Sequence, residues 1–403
     1  MHFKKTITYS TVAVMVLLGC ATENKYKAQE CPECIIPVDN PGNGGGNDDN
    51  QTIIATIDYV DSGSIISWSK QHADEQSQGL AFSSNTIAAY TKWDNRLILI
   101  DPSTNSINSE KVFLDVTGGR YSSGEIPVVD SVSGASEQIL TKVLLNSSAT
   151  EVFSMIKKFD DNSRDVGIGI YRDSIANGVP DVRFARRATT DDSYYHYPKV
   201  TDIALSHDNT KLVTCGYDRK IAIFDPSSLN TPEVIDTGKK MRSVDFSANS
   251  DYIFAGSGGL SSLIRIYNTA SKSMIAEIAT AQTTREVKEI PEGNKMIAIF
   301  DPKNGVGGDI LRVYDISDIG SPTQEKILIV NGNAKSIAIS PDKKTFAIVA
   351  TGNQVNLFAI DGGDNPVVIN LGEPVSDAVF ISETKLAVLL GTKIKIFDIT
   401  VTR

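Results

Sequence analysis

The chain has 403 residues, is 41% hydrophobic, and carries a formal net charge of −10 from 39 Lys and Arg against 49 Asp and Glu. An acidic balance argues against nucleic acid as a partner, because that role asks for a basic face. Beyond the first residues the histidines are His72, His196 and His207, in separate segments without metal-ligand spacing, so no metal or cofactor is expected.

In chain order, Met1–Gly19 carries Lys4 and Lys5 and then the apolar run Val12–Leu18. The run is too short to span a bilayer and reads as a secretory signal. Removing it takes the formal charge to −12. Residues 20–50 lack apolar periodicity and end in Pro41-Gly42-Asn43-Gly44-Gly45-Gly46-Asn47-Asp48-Asp49-Asn50, the composition of a flexible tether. Within it lies Cys31-Pro32-Glu33-Cys34. Two cysteines cannot complete a tetrahedral zinc site and no thioredoxin-like pattern surrounds them. A local disulfide between Cys31 and Cys34, or two idle thiols, is the reading.

Residues 51–403 are organised by a repeat whose clearest copy is Val200–Pro226, VTDIALSHDNTKLVTCGYDRKIAIFDP. Val200–Ser206 and Lys211–Cys215 are short apolar runs ended by turn formers, and Ile221 and Ile223 alternate with Ala222 and Phe224 at the period of two a strand requires. Asp225-Pro226 closes the unit. Further copies start at Arg242, Val287, Ala334 and Val375, with two diverged ones at Gly79–Pro102 and Ile139–Asp173. The large residue of each third strand falls at Ile100, Tyr171, Phe224, Tyr267, Tyr314, Phe358 and Phe397; the later spacings are 43, 47, 44 and 39. That is the ~40–45 residue period of a four-stranded propeller blade. Seven markers predict an all-β, seven-bladed β-propeller.

The third strand of the last copy leaves a blade one strand short, and Ile53–Val60 is free to supply the fourth. The last blade is therefore expected to be closed by the N-terminal strand, which removes exposed edges. Ser62–Gln78, including Trp68, would connect into blade 1, followed later by a strand at Val112–Val116 and a Gly/Ser-rich insertion, Gly118–Ser136.

Two resemblances add to this reading. Ser206–Asp225, S-x-D-x-x-x-L-V-T-x-G-x-D-x-x-I-x-I-F-D, resembles the WD-repeat family, with Phe224-Asp225 where that family has Trp-Asp. It is also similar to bacterial YVTN-type and lactonase-like propellers. The Gly-His dipeptide typical of WD repeats is missing, and His207 does not stand in its place, so that family's hydrogen-bonded tetrad is not implied here. Leu17-Leu18-Gly19-Cys20 resembles a bacterial lipobox. That resemblance implies a lipoprotein acylated on Cys20, palmitate included. Ala21 offers no Asp-type retention signal, which points to the outer membrane of the cell envelope.

Propeller loops between second and third strands share one face with the blade-to-blade connections. The repeat places Trp93, Asp94, Arg96, Asp218 and Arg219 in the former, with Asp301, and Arg186, Arg187, Tyr194, Tyr195, His196, Tyr197 and Arg285 in the latter. Tyrosine and arginine are enriched at interface hot spots, so this face is the candidate binding surface. Asp160-Asp161-Asn162-Ser163-Arg164-Asp165 has oxygen ligands at alternate positions but lacks the glycine and terminal Glu of a calcium loop, and reads as a solvated turn. No nucleophile elbow, phosphate loop or metalloprotease helix is found, and no catalytic pair singles itself out. The expected function is a membrane-anchored, extracytoplasmic scaffold for a protein partner at the cell envelope, with a small-molecule or glycan ligand as a variant. The alternative is a lactonase-like or glycan-processing enzyme drawing scattered carboxylates from several blades.

Overall fold

In the computed structural model the described residues are 55–70, 76–92, 96–112, 135–160, 165–175, 183–184, 200–229, 232–259, 262–290, 294–301, 310–330 and 332–402. Among them every regular element is a β-strand, and the strands form seven separate four-stranded antiparallel sheets. From the centre outward, blade 1 is Gln76–Ser83, Thr86–Lys92, Arg96–Asp101 and Ser106–Val112, and blade 2 is Ala135–Leu145, Glu151–Asp160, Asp165–Ser174 and Arg183–Phe184. Blade 3 is Val200–Leu205, Leu212–Gly216, Lys220–Phe224 and Glu233–Asp236; blade 4 is Met241–Phe246, Tyr252–Ser257, Leu263–Asn268 and Met274–Ala279. Blade 5 is Thr284–Ile290, Lys295–Phe300, Ile310–Asp315 and Thr323–Ile329; blade 6 is Ala334–Ile339, Thr345–Ala350, Gln354–Ala359 and Val367–Asn370.

Blade 7 takes three strands from the end of the repeats, Val375–Ser382, Lys385–Leu390 and Lys393–Thr402, and its outermost from Thr56–Ser67. That strand pairs from Thr56 opposite Thr402 to Ser67 opposite Lys393, with a bulge between Asp61 and Ile65. Closure by the N-terminal strand is as expected, but the strand runs seven residues beyond Val60, into the stretch read as a connection. Trp68 follows it, its side chain buried against blade 1 and its backbone N–H donating to Thr392 O at 3.0 Å. Inner strands touch one another all the way round, the first against the last, so the ring is closed.

Why the sheets stack is read from their alternation. In blade 3, Ala222 and Phe224 pack against blade 2 while Ile221 and Ile223 pack against blade 4. The core is accordingly seven apolar clusters, one for each seam between neighbouring blades. Ile100, Phe224, Tyr267, Tyr314, Phe358 and Phe397, the repeat markers, each face the preceding blade. Burying such a side chain contributes roughly 1.5–3 kcal/mol, and there are several in every seam.

Turns at the hairpin end use one device repeatedly. The Ser206 hydroxyl donates to Asp208 Oδ1 (2.6 Å) and accepts the Lys211 N–H (2.9 Å); Ser247 with Asn249 and Tyr252, and Ser340 with Asp342 and Thr345, do the same. The Ser206 hydroxyl, followed by the Thr210 N–H, holds the Asp208 carboxyl down at about 2. The next turn is capped by the aspartate ending the third strand: Asp101, Asp225 and Asp315 accept the N–H groups of Ser103, Ser227 and Ser317, each at 2.8 Å. This is the physical role of Asp225 in the Phe-Asp pair; His207, by contrast, is exposed in a hairpin turn.

Candidate functional site

All seven inner strands carry a register shift at the equivalent place, one residue into the strand in blades 3 to 7, after Ser77 in blade 1 and after Leu140 in blade 2. The bulged residues are Gln78, Thr141, Thr201, Arg242, Arg285, Lys335 and Ser376, at the channel mouth on the face of the blade-to-blade connections. The next residue of each strand forms a second tier: Gly79, Lys142, Asp202, Ser243, Glu286, Ser336 and Asp377.

The second tier clasps one blade to the next. Asp202 Oδ2 accepts the Val244 N–H at 3.0 Å, Ser243 Oγ accepts Val287 N–H at 2.9 Å, Glu286 Oε2 accepts Ile337 N–H at 3.2 Å, and Asp377 Oδ2 accepts Leu80 N–H at 2.9 Å. Where the backbone is not the partner, side chains meet: Lys142 Nζ lies 2.5 Å from Asp202 Oδ1, and Ser336 Oγ donates to Asp377 Oδ1 at 2.5 Å. Gly79 has no side chain because Tyr90 fills its place; a Cβ there would stand 2.3 Å from the Tyr90 hydroxyl, which donates to Thr141 O at 3.4 Å. The first tier repeats the idea, with Thr201 Oγ1 donating to Met241 O at 2.8 Å and Lys335 Nζ to Val375 O at 2.6 Å. Arg285 Nη1 donates to Ala334 O.

This girdle is electrostatically loaded. Burial, partly offset by Lys288 and Lys142, pushes Glu286 up to about 7. Burial also raises Asp245 and Asp377. Lys288 is pulled down by burial, but Asp245 and Glu286 outweigh this and hold it above its usual range. Glu289, deeper in blade 5, is pushed by burial to about 7 while accepting the Ala248 N–H. Perturbed carboxyls in a channel can be general acids or bases. Here each second-tier carboxylate is already an acceptor for the adjoining blade, which makes the girdle a structural clamp.

Among residues singled out from sequence, Arg285 joins a built arrangement: its Nε and Nη2 lie 2.8 and 2.7 Å from Asp301 Oδ1. Arg242, one blade away, binds the other oxygen of Asp301 at 2.8 Å. Arg219 is exposed with φ of 70°, and its carbonyl accepts both N–H and hydroxyl of Thr237. Asp218 Oδ1 accepts the Lys220 N–H at 3.2 Å and shapes that turn. Arg96 is 2% exposed, with Nη2 on Glu110 at 2.7 Å and Nη1 on Ser69 O at 3.1 Å, so it braces the blade 7–blade 1 wall and offers no open surface. Trp93, Asp94, Arg186, Arg187, Tyr194, Tyr195, His196 and Tyr197 lie outside the described residues, as do Cys20, Cys31 and Cys34. Arg242 and Lys335 were missed from sequence. Their signal was positional: RSV, REV and KSI each open a repeat with a cation.

The "WD domain, G-beta repeat" family model matches residues 192–225, which include the first three strands of blade 3. A curated relative, U3 small nucleolar RNA-associated protein 15 of Saccharomyces cerevisiae, is 23% identical over 231 residues, 55% of this chain and 43% of that protein, so the match spans less than half of the relative. The β-propeller domain of Cps50 (Swd1) from Myceliophteria thermophila superposes with a TM-score of 0.57 at 11% identity, over 81% of this chain and 96% of that one. Raptor from Chaetomium thermophilum gives 0.58 at 14% identity, over 85% and 29%. At such identities the likeness is one of fold.

Proposed function

We propose that this chain is a non-catalytic propeller scaffold that presents its connection face to a protein partner, held at the bacterial cell envelope by lipid on Cys20. The observation that carries the scaffold reading is the girdle. The ionisable side chains at the waist of the channel hold adjacent blades together, while cations gather at the mouth above them. A rigid ring with a decorated rim suits recognition, and propellers of the WD type serve widely as protein-interaction scaffolds. The Leu-Leu-Gly-Cys sequence and the composition of residues 20–50 support the anchored, extracytoplasmic part, with the outer membrane as destination.

A crosslinking pull-down from native membranes tests the scaffold, using the full chain and a Tyr194→Ala, Tyr195→Ala, Tyr197→Ala variant. A discrete protein captured by the first and lost from the second is the expected result; no enriched protein with either overturns it. Labelling cells with a palmitate analogue tests the anchor: label on the native chain and none on Cys20→Ser is expected, and equal labelling refutes it.

A further inference from the structure

Three consecutive inner strands place a cation at the bulge of the channel mouth: Arg242 in blade 4, Arg285 in blade 5 and Lys335 in blade 6. On a chain of net charge −10 this arc is a local reversal of sign. Its first two members already share a carboxylate. Asp301 Oδ2 takes Arg242 Nη1 at 2.8 Å, and Oδ1 takes Arg285 Nε and Nη2 at 2.8 and 2.7 Å.

Neighbours hold this cradle in shape. A Cβ on Gly258 would stand 2.7 Å from Arg242 Cδ, so the glycine lets the arginine lie across the loop. Gln282 Nε2 donates to the Asp301 carbonyl at 3.0 Å, and Arg312 Nη2 steadies the same amide at 3.2 Å. The guanidinium side chains are 33% and 29% exposed, and among the described residues Arg242 has Asp301 as its single charged partner. About a third of each guanidinium side chain still faces water, the side from which an incoming carboxylate can compete with Asp301.

We propose that the mouth binds an acidic peptide segment of the partner protein, whose carboxylates take the Arg242–Arg285 cradle and Lys335, with Asp301 as the resident competitor. This rests on the scaffold reading and adds the chemistry of the partner. Bidentate guanidinium geometry suits a carboxylate, and the arc is confined to three blades of an acidic ring, which favours a short acidic segment over a long polyanion.

The test uses the full chain and a fluorescein-labelled decaglutamate peptide, followed by anisotropy at low and physiological salt. A decaglutamine peptide and a uridylate decamer serve as comparators. Binding of the glutamate peptide alone is expected, weakening more than about tenfold in Arg242→Gln, Arg285→Gln while circular dichroism is unchanged. Lys385→Gln, which removes a pair with Asp398 at the opposite end of blade 7, should leave it intact. Asp301→Asn should tighten it about three- to tenfold, because the competitor is gone. Equal binding of the glutamine peptide, insensitivity to the arginine pair, weakening by Asp301→Asn, or a preference for the uridylate overturns the proposal. A native partner retained by the double arginine variant would refute this inference while leaving the scaffold standing; a pull-down that captures nothing removes the scaffold itself.

Discussion

Glu286→Gln should make the ring more stable at alkaline pH and change it little at acid pH. The Glu286 side chain is 19% exposed, accepts the Ile337 N–H across the blade 5–blade 6 seam, and faces Lys288, Lys142, Asp202 and Asp377. Burial lifts it from an ordinary 4.5 to about 7. The folded chain therefore binds a proton between those values that the unfolded chain has released, and stability falls as pH rises through that window. Such a displacement has a ceiling of about 3 kcal/mol, and water in the channel reduces it to about 1–2 kcal/mol. Glutamine keeps the acceptor for Ile337 and carries no charge, and Lys288 keeps Asp245 as a partner. With an unfolding entropy of about 2 cal/mol/K per residue over about 350 residues, the variant should melt about 1–3 °C higher at pH 8 and within about 1 °C of the parent at pH 5. Thermal unfolding followed by circular dichroism at both pH values measures this. Glu289 lies at about 7 for the same reason, so Glu289→Gln added to it should flatten the remaining slope. A Glu286→Gln chain that melts lower at pH 8, or keeps the parental slope, would refute the reasoning.

Asn356 is 1% exposed in the blade 5–blade 6 seam with neither amide atom hydrogen-bonded, so Asn356→Leu should raise stability by about 1–2 kcal/mol in a denaturant titration. Phe358, stacked on Phe346 at 5.0 Å and 11° in that seam, should lose about 3–5 kcal/mol on change to Ala, read the same way. Ser250 holds φ of 62° at a hairpin turn where Asn209 stands at the equivalent place in blade 3; Ser250→Asn should add about 0.5–1 kcal/mol, seen as a higher melting temperature.

The blades were legible because each one announces itself locally. Phe224, Tyr267, Tyr314, Phe358 and Phe397 recur at near-constant intervals, and the alternation at Ile221–Phe224 assigns each side chain to a seam. Outer strands were harder, since they need no apolar run. Ser106–Val112 reads as polar and was passed over for a later segment, and Asp61-Ser62-Gly63-Ser64 reads as a linker although it is a bulge inside a strand. The girdle was not legible at all. Asp202 and Val244, or Glu286 and Ile337, meet only because adjacent blades bring positions 42 or 51 residues apart into register. Arg285 and Asp301 could be placed on one face by counting strands, but the carboxylate shared with Arg242 could not, because it depends on the bulge that turns both arginines to the mouth.

The pairing of Thr56–Ser67 with Lys393–Thr402 has a kinetic side. Thr56 meets a residue 346 positions further along the chain, so the ring's first strand is expected to find its partner only after the other blades have formed. Closing a loop of that span costs about 5 kcal/mol of chain entropy, and nothing local offsets it before the seams on both sides exist. Assembly should therefore end in a single late, all-or-none docking event, preceded by an open arc that exposes the raw edge of Lys393–Thr402. Until that moment the molecule is at its most vulnerable to pairing with a strand from another copy.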